Sequence, residues 1–397
     1  MLLDEFQTCH AGPLRGFPSL LQAEVDRLQD RDTAGGLILL GSVQAEMGAL
    51  LNDRRAPLFG RSTFAISLEP WSLATVFEVC REHGAADPAR CLTLWTLFGG
   101  VPKYWRHYAE QGTDLHGIPG WTPWAQQVCE GLFLRSDSPL RGEGESLLGR
   151  VRRNYVALLR VIAERGPCTH AELQVSAPEL SLGPYLKTLG QDLRLVERQD
   201  PVFGEGRRRG RYAVSDPFLL AWLKVIQPAC QAARIEPVSR VAERLTARLR
   251  TLEGFAFARM VREATEAASR AGVDFPVSDR VKGYWDRPRR NDVSIEIDII
   301  AWNEEDRVVR FGSCERDAAR HDPRSLETFR KQVDLFLESD SGSRFRRWRR
   351  ELALYSVRFS SDQRADLEAG DYICHDMADF QRMLRPRERG PHGARPP

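Results

Sequence analysis

The sequence contains no uninterrupted apolar stretch near the ~18 residues of a membrane span, so no membrane association through a helix is expected. It has no Cys-x-x-Cys pair. Eight cysteines are scattered through 397 residues, which argues for reduced thiols in a cytoplasm and against a zinc site or a disulfide scaffold. The first residues, MLLDEFQ, place Asp4 and Glu5 where a secretory signal would carry a basic region and a long apolar run, so secretion is not expected. Lysine is nearly missing: Lys103, Lys187, Lys224, Lys282 and Lys331 stand against fifty-two arginines. The arginine bias runs along the whole chain and marks no particular site. None of the five lysines follows a glycine, so the phosphate-binding pattern Gly-x-x-x-x-Gly-Lys-Ser/Thr occurs nowhere. Net charge is also small, +2, and any nucleic-acid affinity has to come from local patches.

What is present divides into three parts. Residues 1–135 read as α/β. GLILLGS, Gly36 to Ser42, is an apolar run ending in Gly-Ser and reads as a buried parallel strand leading into a helix. TFAISLEP, Thr63 to Pro70, reads as another strand, and WSLATVFEVCREHG as a helix ending at Gly84. From Ala89 the pattern is helix, a Gly99-Gly100-Val101-Pro102 break, then helix, with Pro102 suited to a first helical turn. SDSPLRGEGES, Ser136 to Ser146, is polar and Gly-rich and reads as a linker.

Residues 150–228 hold three amphipathic segments and then a strand, a Gly/Arg-rich loop and a second strand. Three helices followed by a β-ribbon is the winged helix-turn-helix pattern. Its third helix, near Leu182 to Leu193, would enter a major groove with Lys187, Gln191 and Arg194. Arg207, Arg208 and Arg209 would sit on the wing over phosphates. DNA contact of this kind would be phosphate-dominated and weakly specific. Residues 235–385 read as helix, strands, helix, strand, a third α/β unit. RFRRWRR, Arg344 to Arg350, reads as a helix burying Phe345 and Trp348 with its arginines in water. The tail, residues 386–397, reads as disordered.

Several of these motifs occur in one order that resembles the archaeal-type P-loop ATPases, a branch of the AAA+-like nucleotidases. LLDEFQ is similar to that family's Walker B strand. Gly41-Ser42 is similar to the end of its sensor strand, and Pro57 to Arg61 to its Pro-Leu-aromatic-Gly-Arg segment. Gly99 to Pro102 is similar to its Gly-Gly-Val-Pro lid element, and Asp216 to Phe218 to its Asp-Pro-Phe segment. The resemblance implies a partial AAA+-like ATPase module with a helical lid, then a winged helix-turn-helix, then a restriction-endonuclease-like α/β domain. It implies ATP and Mg²⁺ as cofactors of the full-length family, with Asp4 serving Mg²⁺, Glu5 as the catalytic carboxylate, Ser42 at the sensor position and Arg61 approaching the γ-phosphate; without the phosphate loop, this chain is expected to bind neither. Action on a nucleic-acid or protein partner would follow.

Two departures qualify what the resemblance implies. The phosphate loop and the strand that carries it are missing, so two parallel strands would be left with open edges and the chain is expected not to hydrolyse ATP. Either Met1 lies inside a longer reading frame, which is the preferred account, or the ATPase is a remnant. In the nuclease-like part, Asp298 matches the first acid of the PD-(D/E)XK layout as a weak metal candidate. Ser313 and Glu315 stand where an acid and a lysine are expected, and Ala258 where a helix glutamate often stands. Glu263 or Glu315 would have to complete any metal site. The readings are therefore an ATP-binding protein without turnover, a non-enzymatic DNA-binding or regulatory protein, and a metal-dependent nuclease, in that order.

Overall fold

The computed structural model describes all residues except 11, 30–35, 42–43, 112–114, 116, 150, 204–208, 279, 287–293 and 386–397. The architecture is mixed α/β, in two compact units. One comprises residues 1–69 with 191–193, and the other residues 70–190 and 194–397. Among the described residues no helix is long and apolar enough to cross a membrane.

The first unit is built around β1 (Leu2–Leu3), α1 (Phe17–Gln29), β2 (Ile38–Leu39) and α2 (Gln44–Leu51). β1 and β2 pair in parallel, Leu2 with Ile38 and Leu3 with Leu39. The Leu40 N–H donates to the Leu3 carbonyl at 2.8 Å, and the Phe6 N–H donates to the Leu40 carbonyl at 2.8 Å. A small core of Phe6, Cys9, Leu21, Leu50 and Leu58 holds these elements together. Residues 63–70, expected as a strand, form none. A parallel strand is stabilised by a neighbour, and among the described residues this segment has no ladder partner.

The second unit begins with α3 (Leu73–Glu82), α4 (Pro88–Phe98), α5 (Pro102–Glu110), α6 (Trp121–Cys129) and α7 (Glu143–Gly149). The expected break is there: α4 stops at Gly99, and Pro102 opens α5. Ser136 to Ser146 is no open linker, because Ser138 and Leu140 are buried and Gly144 lies against the Trp222 ring. α8 (Arg153–Arg165) ends at Gly166 with φ 78°. After β3 (Cys168–Thr169), the Thr169 hydroxyl and the Glu172 carboxylate form a reciprocal capping box at the start of α9 (His170–Ser176). α10 (Leu182–Lys187) runs into a wider turn over Thr188–Asp192. β4 (Val196–Gln199) and β5 (Arg211–Val214) then close an antiparallel sheet in the order β3-β5-β4.

α11 (Pro217–Ala221) and α12 (Gln227–Ala232) continue one apolar helical run. α13 (Val238–Arg270) is a single helix of 33 residues, where several helices are expected from sequence. It buries residues along its whole length, from Val241 to Ser269. The last sheet holds β6 (Val281–Asp286), β7 (Ile295–Asn303), β8 (Val308–Cys314), β9 (Arg349–Ser356) and β10 (Tyr372–Asp376). α14 (Pro323–Glu338) crosses from β8 to β9, α15 (Ser361–Ala369) from β9 to β10, and α16 (Met377–Met383) follows. Strand order is β10-β9-β8-β7-β6, antiparallel through β6, β7 and β8 and parallel through β8, β9 and β10. RFRRWRR is no helix. A short 3-10 turn over Ser343–Phe345 leads to β9, although Phe345 is buried as expected.

The β4–β5 ribbon is packed rather than free. The Val202 N–H donates to the Gly283 carbonyl of β6 at 3.0 Å. Phe203, at φ 62°, lies against Trp302, Phe345 and Phe336 with ring centroids 4.9, 5.6 and 6.3 Å away. Val202 belongs to the core of the last sheet.

Candidate functional site

Asp4 and Glu5 follow β1 directly and are exposed. Asp4 turns its carboxylate onto the Glu5 backbone N–H at 2.8 Å. Glu5 has φ 50° and accepts a hydrogen bond from the buried Gln7 side chain. Each acid thus makes a hydrogen bond within its own turn and keeps exposed carboxylate oxygen. Ser42 lies outside the described residues. Arg61 is held in a two-pronged ion pair with Asp26, at 2.6 and 3.1 Å, and donates to the Pro57 carbonyl at 2.9 Å. That pair lowers the Asp26 carboxyl and raises the guanidinium. The guanidinium ties residues 57–61 to α1.

An open concavity lies at the Gly-Gly-Val-Pro turn. Its volume is about 540 Å³, within the range of ligand sites. Trp71, Val79, Trp105 and Pro102 give it an apolar wall, and Lys103, Arg106, His83 and His107 stand around it. Local sequence builds this wall. Gly100 is needed because a Cβ there would meet the Trp71 carbonyl oxygen at 2.3 Å. The Trp71 N–H donates to the Gly100 carbonyl at 2.7 Å, and the Trp105 indole N–H to the Gly99 carbonyl at 2.9 Å. Glu143 pairs with Lys103 at 2.6 Å, and Glu110 with Arg106 at 2.8 Å.

The Asp-Pro-Phe segment meets the same turn. An ideal Cβ on Gly99 would lie 3.0 Å from the Pro217 ring. Tyr104 stacks on Phe218 at 4.2 Å and 19°. Asp216 caps α11 by accepting from the Leu219 N–H at 2.7 Å, and burial raises its carboxyl. Burial likewise raises the Tyr104 hydroxyl. Two motifs more than a hundred residues apart are thus in contact. In the sequence only Pro102 and Lys103 of this lining stand out; Trp71, His83, Trp105, Arg106 and His107 do not, because an amphipathic helix pattern does not say which apolar face lines a void.

Of the candidate DNA contacts, Lys187, Gln191 and Arg194 are exposed. Arg194 has φ 52°, and its carbonyl accepts from the Ser215 hydroxyl at 2.6 Å. Arg207 and Arg208 lie outside the described residues. Arg209 is engaged on the protein itself. It pairs with Asp286 of β6 at 2.7 Å, and its carbonyl accepts from the Trp285 indole N–H at 2.9 Å. Arg211 pairs with Glu296 at 2.9 Å and lies 4.7 Å over the Trp285 ring.

Asp298 sits mid-strand on β7 and accepts the Cys314 N–H at 2.9 Å. Burial pushes its carboxyl up to about 6, against the pull of that hydrogen bond. Glu263 is paired with Arg259 at 3.1 Å, and Glu315 lies 3.7 Å from Arg320. Among the described residues no group of three or more His, Cys, Asp or Glu is placed to hold a metal. Asp298, expected as a weak metal candidate, is thus a strand carboxyl with one backbone donor and no such group around it among the described residues.

An uncharacterized protein of Methanocaldococcus jannaschii is 24% identical to this chain over 372 residues, covering 91% of this chain and 75% of that protein. No protein-family model matches the chain, and no solved structure matches it.

Proposed function

We propose that the chain is a nucleotide-binding, non-hydrolysing protein of the archaeal-type P-loop ATPase kind, with ATP as its ligand. The observation that carries this reading is the cavity at Gly99–Pro102. Trp71 and Trp105 line it with aromatic surface suited to a purine, and Lys103 and Arg106 stand at its margin, each paired with a glutamate that a polyphosphate would displace. The contact of the Asp-Pro-Phe segment with the same turn supports the resemblance from which ATP was expected. In such proteins the Asp4 position serves Mg²⁺ and the Glu5 position polarises water. The sequence has no phosphate loop to hold the β- and γ-phosphates against them, so no hydrolytic step is assigned to these carboxylates.

Equilibrium dialysis with ATP, read alongside quenching of tryptophan fluorescence, tests this. The expected result is saturable binding, weakened at least tenfold in Trp71→Ala. Phosphate release should stay at background in both the natural chain and Glu5→Gln. Failure to bind millimolar ATP overturns the reading, and robust turnover abolished by Glu5→Gln overturns its non-hydrolytic part.

A second reading, a winged-helix DNA-binding or regulatory protein, is favoured by the exposure of Lys187, Gln191 and Arg194 at and after α10. In it α8, α9, α10 and the β4–β5 ribbon form the winged helix, with the wing turned to packing and the helix left for DNA. Binding should then fall with salt and with Lys187→Ala, and hardly change with Arg209→Ala. A nuclease is the third reading. The absence of a metal-holding group among the described residues stands against it. In each case a protein partner is compatible with the packed C-terminal sheet.

A further inference from the structure

All eight cysteines are free thiols, and seven of them are buried. Cys168 and Cys230 turn their sulfurs to carbonyl oxygens, of Tyr212 at 3.8 Å and Phe133 at 3.4 Å. Cys80 and Cys91 instead face one another. Their sulfurs lie 3.1 Å apart, and both residues are 0% exposed. Cys80 stands in the last turn of α3 and Cys91 in the first turn of α4, eleven positions further on. A short turn holds these two helix ends together, with Gly84 at φ 69° and the Ala85 N–H donating to the Cys80 carbonyl at 2.7 Å. A thiol is a weak donor and a weak acceptor, so the contact contributes little as a hydrogen bond. To become a disulfide, with sulfurs ~2.05 Å apart, it has to close by about 1 Å.

We propose that Cys80 and Cys91 are a redox pair, which hydrogen peroxide converts to an intramolecular disulfide that locks α3 to α4. One thiolate attacks the O–O bond of the peroxide, releasing hydroxide and leaving a sulfenic acid. The second sulfur then displaces the sulfenic oxygen, which leaves as water, and the S–S bond forms. In sum two thiols and one hydrogen peroxide give one disulfide and two waters, and the peroxide takes up the two electrons. Burial selects this oxidant. It closes the pair to bulky disulfide reagents, and it pushes the Cys80 thiol well above its ordinary range, so that little thiolate is on offer. A molecule little larger than water needs only a brief opening at the helix ends, which are the first parts of a helix to fray. The pair also adjoins the concavity: Val79 and His83, to either side of Cys80 on α3 and its cap, line it, and the Tyr108 hydroxyl donates to the His83 carbonyl at 3.4 Å. Oxidation therefore fixes one wall of that concavity, whatever it binds.

Thiol counting on the full chain tests the proposal. The reduced protein is treated with millimolar hydrogen peroxide, the peroxide is removed, and the remaining thiols are alkylated in denaturant. Eight alkylated cysteines are expected before treatment and six after it, two having been consumed. The peptides of Cys80 and Cys91 should then run as one species that a reductant separates. The thermal transition should rise by several degrees, fall back on reduction, and not move in Cys91→Ser. Eight alkylated cysteines after treatment overturn the proposal, and so does a sulfinic acid at Cys80 or Cys91 in place of the link. A link between other cysteines that persists in Cys91→Ser overturns it as well. Glutathione disulfide at the same concentration should form the link at least tenfold more slowly, and an equal rate overturns the part given to burial. The peptide map is read on the natural chain, so it decides even where Cys91→Ser does not fold.

Discussion

Residues 1–69 and residues 70–385 follow opposite economies of burial. The first region has strands of two residues and a core of five buried apolar side chains, and it leaves Phe64, Ile66 and Leu68 in water. The second buries Trp105, Trp124 and Trp222 almost completely and runs its largest core from α3 to α16 without a break. Similar apolar stretches of sequence behave differently in the two settings. GLILLGS and FAISL are as strand-like as SIEIDIIAW, but among the described residues only the last has neighbours on both sides, β6 and β8. A strand is a property of the pair, not of the segment.

That contrast can be broken most forcefully in the second region. Trp222→Ala, which removes a fully buried ring packed on Gly144 and Phe218, should cost about 3–5 kcal/mol and lower the main calorimetric transition sharply. Leu58→Ala, in the small core, should leave that transition where it is. Equal shifts from both variants would mean that the two regions melt as one.

The next effect in size is electrostatic. Asp298 has a folded pKa of about 6, above the ordinary 3.8, so its ionised form opposes folding. The penalty is complete above pH 6 and fades as pH falls from 6 toward 4. Asp298→Asn should therefore stabilise the protein at pH 7.5 by up to about 3 kcal/mol and by much less at pH 4.5, as read from urea unfolding. If Mg²⁺ instead stabilised the natural chain and not the variant, Asp298 would regain its metal reading.

Phe203→Ala probes the docked ribbon. Losing this half-buried ring from among Trp302, Phe336 and Phe345 should cost about 2 kcal/mol and quicken hydrogen exchange at the Val202 amide. Arg209→Ala, at the same junction but partly exposed, should cost under about 1 kcal/mol. The smallest effect is a gain: Gly254 lies inside α13 with open space where a Cβ would go, so Gly254→Ala should add about 0.5–1 kcal/mol.

Much of the second region is legible in sequence, because its signals are local. The Gly99-Gly100-Val101-Pro102 break, the stop at Gly166, the Thr169 cap and the strands β6 to β8 each rest on a few adjacent residues. What escapes depends on distant partners. Ser136 to Ser146 reads as a linker because nothing in it announces Trp222, eighty residues away, as the ring that covers Gly144. RFRRWRR has a helical apolar spacing, but β8 was waiting to pair with what followed it. α15, β10 and α16 were not resolved as separate elements, since the pairing of β10 with β9 is read only in three dimensions. The candidate site shows the same division: Pro102 was visible, and the wall that Trp71 and Trp105 build beside it was not. The ion pair of Arg209 with Asp286 joins distant residues and has no local signal.

α13 carries a consequence of its own. At 33 residues it is a rod roughly 50 Å long. Near its middle the buried Glu253 joins Thr93 of α4 and Arg316 beyond β8, both at 2.6 Å. Mechanically this is a strut pinned at mid-span. A pull applied to the sheet is transmitted to the helices without a soft joint, so in an optical trap the second region should rupture in one step rather than yield piece by piece.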